Sequence, residues 1–473
     1  MMSGRLFIGG TWVNGTSTFP VVDKFTGEQI ATVASPSHDQ VHQAVQAAAD
    51  ACARNAMTPY GRFEVLERAA KVLESRRDVF KSMIVAESGF TVSDAEGEVS
   101  RTLQTLRLCA EEAKRIVGEM VPIDGAPGQE NRFAFTLRVP VGVVCAITPF
   151  NSPLNTVAHK VAPALAAGNA VLLKPATQTP LTAGLLCEVL EEAGVPAGYI
   201  SLLHGEGPEV GEWLLREEQI AFYTFTGSTR VGSIIQRAIG LRRSQLELGS
   251  ISSTIVCEDA DQLRAIPRCV NASFRKAGQV CTSVQRLYVH RSILDSFLGA
   301  FVDATKKLRV GNPKDSETLV GPMISEREAQ RATVWVEEAV AQGARLVCGG
   351  RREGALFFPT ILVDVDQRMR VVCEEIFAPV VCVLPYDSLD AVINDINATP
   401  YGLATGIFTT NVNSAMRAAR RLRVGTIHIN ETSSSRVDVM PYGGVKQSGF
   451  GREGPKYAIQ EMTEERLVTW SLY

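Results

Sequence analysis

The chain has 473 residues, 45% hydrophobic and 21% charged; at roughly 100–200 residues per domain it should fold into two or three domains, which excludes a disordered or fibrous chain. A formal net charge of −3 gives no electrostatic pull toward nucleic acid or an anionic membrane, so neither is expected as a partner. The longest apolar stretch, 139–150, is broken by Pro140 and Pro149 and is too short to span a bilayer, and the first residues lack the apolar core of a secretion signal, so a cytoplasmic location is expected.

The first third reads as helices. Ser37-His-Asp-Gln40 is a capping-box pattern, and Val41, Val45, Ala48 and Cys52 follow at helical spacing. A second helix starts near Pro59 with Leu66, Ala70 and Leu73 on one face. A third, over about 93–117, aligns Val99, Leu103, Leu106, Ala110 and Ala113 and stops before Gly118.

From Phe133 the period changes. Strands are expected at 133–139, 142–148, 170–173, 200–203 and 221–225, with helices at 180–193 and 208–216 between them. The alternation resumes with a helix near 261–276, a strand at 287–289 and a helix near 326–341. It ends with a strand at 404–408, a helix near 414–423 and a strand at 426–430. Such alternation predicts parallel sheets covered by helices, in two α/β units meeting near residue 247. Ligands of such sheets gather at the carboxyl ends of the strands, where the chemistry should be sought.

The ten cysteines lie between Cys52 and Cys382 without a C-x-x-C pair, and the six histidines form no H-E-x-x-H. No protein-held metal is expected, and a reduced compartment suits this cysteine usage. Cys281 differs from a merely buried cysteine because it sits in a loop after the 261–276 helix, behind Gly278, and a nucleophilic thiolate needs that approach space. Glu247 lies between two leucines, where burial would raise its pKa toward that of a general base. Asn151, in Thr148-Pro-Phe-Asn-Ser-Pro153, offers an amide that either stabilises an oxyanion or caps a turn. Strand 221–225 runs into Thr226-Gly-Ser-Thr-Arg-Val-Gly232 and a helix, a geometry that aims backbone N–H groups at a phosphate, although the spacing matches neither a Rossmann fingerprint nor a P-loop. Lys174 follows a strand, a natural position for a cation over a cofactor phosphate or ribose.

Together, and in this order, these segments resemble the NAD(P)-dependent aldehyde dehydrogenases over essentially the whole chain. Ile147-Thr-Pro-Phe-Asn-Ser-Pro153 resembles the oxyanion loop, Lys174-Pro-Ala the ribose and phosphate loop, and Phe225-Thr-Gly-Ser228 the pyrophosphate turn. Leu246-Glu-Leu-Gly249 resembles the general-base motif, Gly278-Gln-Val-Cys281 the nucleophile motif, and Glu374-Glu-Ile-Phe-Ala-Pro379 the segment at the nicotinamide ribose. Asn397 to Ala404 and Pro441-Tyr-Gly-Gly-Val-Lys-Gln-Ser-Gly449 complete the set. The stretch Arg436-Val-Asp-Val-Met-Pro441 looks like the lactaldehyde and non-phosphorylating glyceraldehyde-3-phosphate dehydrogenase-like branch.

The resemblance implies two Rossmann-like parallel-sheet domains plus a small β oligomerisation arm. The cofactor-binding domain would comprise 1–120 and 139–246 and the catalytic domain 247–446. Segments 121–138 and 447–473 would bridge subunits of a homodimer or homotetramer. It implies oxidation of an aldehyde to the carboxylate through a Cys281 thiohemiacetal and thioester, with Asn151 at the oxyanion and Glu247 activating water. NAD or NADP would be held by Lys174, Thr177, Gly227, Ser228, Glu375 and Phe377. Thr177 stands where NAD-preferring relatives often carry Glu, so NADP should be accepted. The general-base motif continues Gly249-Ser-Ile-Ser252 in place of the commoner Gly-Gly-Lys or Gly-Gly-Asn, and Ala378 replaces a commoner Gly; both should change local packing only. Thr156, His159, Thr282 and Arg436 are the expected substrate residues, for a short polar or anionic aldehyde, with Arg436 either clamping an acid group or serving structure. Two alternatives are a CoA-acylating enzyme, against which Glu247 argues, and a catalytically silent NAD(P)-binding homologue, against which the retained Cys281, Glu247 and Asn151 argue.

Overall fold

A computed structural model describes residues 4–54 and 57–472. The capping box forms as read: Ser37 and Gln40 exchange hydrogen bonds at 3.0 and 3.2 Å, and the helix His38–Arg54 buries Val41, Val45 and Ala48. Helices Pro59–Ser75 and Val92–Ala113 follow, each capped by a threonine hydroxyl that accepts a first-turn N–H. The second of these ends before the expected 117. There the backbone at Gly118 comes so close to Thr136 that an added Cβ would lie 1.8 Å from its carbonyl oxygen, while Glu119 N–H donates to the Thr136 hydroxyl. Docking onto the neighbouring strand thus overrides the helical periodicity.

The first sheet runs, in spatial order, Thr11–Val13, Leu6–Ile8, Ile200–Leu202, Ala170–Lys174, Val143–Ile147, Ile220–Thr226, Arg243–Glu247 and Gly449–Phe450. Its five central strands are parallel and both edges are antiparallel. The second sheet runs Arg345–Cys348, Thr360–Val363, Val380–Tyr386, Arg286–His290, Ser253–Val256, Ala404–Phe408 and Thr426–Ile429, parallel except at its first edge strand. One apolar core gathers residues from Leu6 to Leu248 together with Ile459 and Met462; a second gathers residues from Ile255 to Leu422. The α/β class and the parallel sheets agree with expectation.

A three-stranded sheet stands apart from both. Thr463–Ser471 pairs antiparallel with Arg132–Pro140 along its whole length, and Met120–Val121 adds to the other edge. Its apolar side chains are exposed, Leu467 at 56% and Trp470 at 64%.

The helix Asn155–Ala167 escapes sequence periodicity for a physical reason: every residue except Thr156 is buried, so no polar face marks its turns. Helix Gln262–Phe274 also stops short of 276, because Lys276, Ala277 and Gly278 adopt left-handed conformations with φ of 51°, 53° and 69°. A Cβ on Gly278 would lie 2.1 Å from the Ala378 carbonyl, so only glycine fits that close approach.

Glu87 illustrates how the first core tolerates charge. Its carboxylate is fully buried and accepts Leu181 N–H at 2.8 Å and Thr182 N–H at 2.9 Å, two otherwise orphaned donors of helix Leu181–Glu192; burial pushes its pKa up to about 7. Glu87→Ala should therefore cost about 2–4 kcal/mol in urea unfolding, from two buried donors left unmet, and Glu87→Gln less than half of that. An unchanged midpoint in Glu87→Ala would show that these bonds contribute little.

Candidate active site

The elements converge at the carboxyl ends of the first sheet, facing the loop that carries Cys281. Glu247 ends strand Arg243–Glu247, Asn151 follows strand Val143–Ile147, and Lys174 ends the strand between Val143–Ile147 and Ile200–Leu202. The left-handed run at 276–278 throws the chain back so that Cys281 meets them. Lys276 anchors this reversal: its ammonium donates to Glu98 at 2.6 Å and to the Asn151 carbonyl at 3.0 Å. Glu98 in turn accepts Ser152 Oγ and the Leu154 and Asn155 N–H groups, so one buried carboxylate fixes both the Asn151 loop and the Cys281 loop.

The Asn151 amide donates to the Gln279 carbonyl at 2.9 Å, and its second amide hydrogen is left for another acceptor. Gln279 is buried, accepting Ile324 N–H and donating to the Lys276 carbonyl. Cys281 Sγ lies 2.9 Å from Tyr442 Oη. Burial pushes the thiol up to about 11, while the Tyr442 hydroxyl and the Arg436 charge pull the other way. Glu247 is buried, and neither of its carboxylate oxygens takes a hydrogen bond among the described residues. Burial first, and the charge of Glu453 second, hold its carboxyl well above the usual carboxylate range. Gly443 makes room beside it, since an added Cβ would lie 2.9 Å from Glu247 Oε1.

Behind Glu247 runs a buried ionic chain that sequence reasoning did not find. Lys160 donates to Glu453 at 2.9 Å and to Thr224 at 3.0 Å, and Arg436 donates to Glu453 at 2.9 Å while lying 3.8 Å over the Tyr442 ring. Tyr442 and Glu453 also exchange backbone hydrogen bonds at 3.1 and 2.7 Å. The two cations hold Glu453 far below the usual carboxylate range despite its burial. Tyr442 lay within a quoted motif, Pro441-Tyr-Gly-Gly, but its neighbour Cys281 is 161 positions away and no local pattern links them.

The expected substrate residues divide. Thr282 Oγ1 lies 3.2 Å from Ser434 Oγ beside the nucleophile, and Thr156 is the partly exposed member of its helix. His159 does not line a tunnel. It is 1% exposed, with Nε2 at 2.8 Å from Asp438 and 3.3 Å from Thr105, because Asp438 gathers His159, Asn155 and Arg101 into one buried cluster. Burial holds this imidazole below its ordinary pKa, hence neutral. Arg436 gives its Nη2 to Glu453 at 2.9 Å, which suits the structural alternative, while its buried Nε has no hydrogen-bond partner among the described residues.

At the expected cofactor positions, buried Lys174 donates to the Pro175 and Gly205 carbonyls at 3.2 and 3.0 Å, and burial lowers it to about 8. Thr177 Oγ1 donates to the same Gly205 carbonyl at 3.1 Å. Exposed Glu206 lies close enough to act on Lys174. The Gly227 N–H is already given to the Glu247 carbonyl at 3.0 Å, so this glycine ties the turn to the strand of Glu247 and is not itself a free phosphate donor. Ser228 Oγ accepts Val231 N–H and caps the helix Thr229–Ala238. Glu375 accepts Ser250 N–H at 2.9 Å, burial raises it to about 7, and a Cβ on Gly249 would lie 2.7 Å from its other oxygen. Phe377 is held at φ 49° with its ring edge-on to Phe150. The serines that depart from the family pattern stitch this region together. Ser250 Oγ meets Ser252 Oγ at 2.9 Å, and Ser252 Oγ donates to the Cys281 carbonyl at 3.4 Å. Ala378 is tolerated because the left-handed residue is its neighbour Phe377.

Among the described residues no group of three or more His, Cys, Asp or Glu is arranged to hold a metal, and no helix is long and apolar enough to cross a membrane.

The sequence matches the Aldehyde dehydrogenase family over residues 12–468. It is 50% identical over 467 residues to a 3-sulfolactaldehyde dehydrogenase of Priestia aryabhattai, covering 99% of this chain and 98% of the relative. It is 38% identical to a lactaldehyde dehydrogenase of Methanocaldococcus jannaschii over 98% of this chain and 99% of that one. The NADP-dependent glyceraldehyde-3-phosphate dehydrogenase of Bacillus halodurans, solved with NADP, superposes with a TM-score of 0.97 at 34% identity and full coverage of both chains. With that extent of match along the whole sequence, the chain belongs to the aldehyde dehydrogenase family.

Proposed function

We propose that this aldehyde dehydrogenase oxidises a short polar or anionic aldehyde to the free carboxylate with NAD or NADP, using Cys281 as nucleophile and Glu247 as base. One observation carries the reading. A partly exposed cysteine on a glycine-framed loop lies within electrostatic reach of a buried carboxylate that has no hydrogen-bond partner among the described residues and is held above its usual pKa. A structural carboxylate would be paired; an unpaired one in a site is suited to taking up a proton.

The residues fit a dinucleotide. Gly249 lacks the Cβ that would press on Glu375, the capped helix Thr229–Ala238 presents its N-terminus beside them, and Lys174 retains a third ammonium hydrogen beyond its two carbonyl bonds. Thr177 carries no carboxylate, while Glu206 stands within electrostatic reach of Lys174 and would be available to a ribose there, so the reading allows both cofactors. NAD(P), when bound, supplies the acceptor for the hydride that leaves the aldehyde carbon.

Cys281 gives its proton up to solvent, and the Arg436 charge and the Tyr442 hydroxyl favour the thiolate that is left. The Tyr442 hydroxyl then donates to the thiolate, which attacks the carbonyl carbon. The free amide hydrogen of Asn151 and the Cys281 backbone N–H stabilise the oxyanion, a kind of donor worth about 2.7–4 kcal/mol each. Glu247 next takes a proton from water, which opens the Cys281 thioester and releases the acid. The 3-sulfolactaldehyde and lactaldehyde relatives, and the hydroxyl-lined surroundings of Thr282 and Ser434, support a short polar substrate.

Cys281→Ala should abolish aldehyde oxidation while cofactor binding, followed by fluorescence, persists. Glu247→Gln should slow deacylation by about 10²–10⁴-fold and let an acyl-enzyme accumulate, visible by intact mass. Retention of most activity in Cys281→Ala, or a requirement for CoA in product formation, would overturn the reading.

Because Glu247 must be ionised to act and its ionisation is pushed upward, deacylation should rise with pH along a limb lying above the usual carboxylate range. Glu453→Gln removes the repelling charge and leaves Lys160 and Arg436 uncompensated. Both effects favour ionised Glu247, so the limb should move toward acid in a kcat–pH profile, and a limb that stays or moves alkaline contradicts this electrostatic account.

We also propose that the three-stranded arm joins copies of the chain into a homodimer or homotetramer, supported by its exposed Leu137, Leu467 and Trp470. Leu467→Glu with Trp470→Glu should yield monomers in sedimentation velocity, and unchanged sedimentation would remove the arm from the interface.

A further inference from the structure

Strands Ala170–Lys174 and Ile200–Leu202 lie side by side and parallel, so the loops that follow them form one crevice, with Lys174 on one side and Gly205-Glu-Gly207 on the other. Crevices at the carboxyl ends of such strands receive the adenosine ribose of a dinucleotide; a carboxylate there hydrogen-bonds the 2′-hydroxyl, whereas an arginine accommodates a 2′-phosphate. One atom ties the two loops together. The Gly205 carbonyl oxygen accepts Lys174 Nζ at 3.0 Å and Thr177 Oγ1 at 3.1 Å. Glu206 is joined to that carbonyl through the peptide bond and so stands at the edge of the crevice, exposed and with its charge reaching Lys174.

The Glu206 carboxylate is not spent on the helix it precedes. Glu206 occupies the N-cap position of helix Gly207–Arg216, with φ −67° and ψ 137°, yet its side chain caps no N–H. A helix start ordinarily favours a phosphate. Here Pro208 removes one N–H, and Glu209 adds a second carboxylate in the first turn. Cationic help is scant on the other side. Two of the three Lys174 ammonium hydrogens go to the Pro175 and Gly205 carbonyls, and burial lowers this lysine to about 8. His204 is buried and thereby pushed down to about 3, so it is neutral. A 2′-phosphate, with about −1.5 to −2 charges as a monoester, would meet repulsion at this edge, whereas a 2′-hydroxyl would meet an acceptor.

We propose that Glu206 accepts the 2′-hydroxyl of the adenosine ribose and repels a 2′-phosphate, so that this enzyme prefers NAD to NADP. The carboxylate missing at Thr177 is supplied from the neighbouring strand's loop. This rests on the dinucleotide-binding reading above and decides between the two cofactors that reading allows. Arg230, exposed in the first turn of helix Thr229–Ala238, is the competing cation that would favour NADP instead, and the test includes it.

The test reads binding, not turnover: NADH and NADPH are titrated against the enzyme by nicotinamide fluorescence, with 5′-AMP and adenosine 2′,5′-bisphosphate as competitors. The wild type should bind NADH about tenfold or more tighter than NADPH. It should also bind 5′-AMP tighter than the bisphosphate, which places the discrimination at the adenosine end. Because the repelling carboxylate is exposed, the preference should shrink as salt is raised. Glu206→Gln should lower the NADPH-to-NADH ratio of Kd values about tenfold, and Glu206→Arg should carry it below unity; the exposed position lets the fold tolerate both. Arg230→Ala should leave the ratio within about twofold. A wild type that binds NADPH as tightly as NADH, a ratio that neither Glu206 substitution lowers, or one that only Arg230→Ala alters overturns the proposal and leaves the aldehyde-oxidising reading standing. A wild type that binds neither dinucleotide overturns that reading itself.

Discussion

The buried carboxylate of Glu453, shared between Lys160 and Arg436, is the constraint on which the rest of the site depends. It joins helix Asn155–Ala167 to the 436–453 segment, and through Thr224 and Gln245 it reaches the strands that end at Glu247. Two cations for one anion leave the neighbourhood slightly positive, which steadies a thiolate at Cys281. The same Glu453 charge stands near enough to Glu247 to keep that carboxyl reluctant to ionise. Within this chain Glu453 opposes the ionisation of Glu247 while Lys160 and Arg436 favour it, and Arg436 also favours a thiolate at Cys281. Removing one partner would leave a buried charge unmet, a cost of about 3–5 kcal/mol, so the chain also fixes the geometry it tunes.

A second carboxylate does for the loops what Glu453 does for the charges. Glu98 binds Lys276 and the start of the helix behind Asn151, so the oxyanion amide and the cysteine loop cannot move independently. The left-handed backbone from Lys276 to Gly278 is strained for its first two residues and is held there by this anchor and by the close approach of Ala378. Strain of this sort placed immediately before a nucleophile keeps its side chain presented to the site rather than packed away.

Much of the architecture was legible in the residues. Amphipathic helices such as Pro59–Ser75 and Glu326–Ala341 announce themselves because one face meets water. Helix Asn155–Ala167 does not, since it is buried almost all round, and it carries Lys160 and His159, whose roles were missed or misread for that reason. His159 looked like a pocket residue by its distance along the chain from Asn151; its partner Asp438 lies 279 positions away, and that contact holds it in a buried structural cluster. Arg436 pairs with Glu453 through one nitrogen, a contact that no pattern in the residues around it announces.

The sequence by itself determined the family and the α/β class and pointed to the candidate reacting groups, because a thiol, a carboxylate and an amide in glycine- and proline-framed loops after strands are local patterns. The tertiary structure alone decided which charges are already neutralised. For Arg101 and Arg436 the residues on either side cannot say which carboxylate each meets, since each partner comes from another part of the fold. Ionic pairing acts through a few ångströms of space and is indifferent to distance along the chain, so these pairs could be assigned only once the chain was folded.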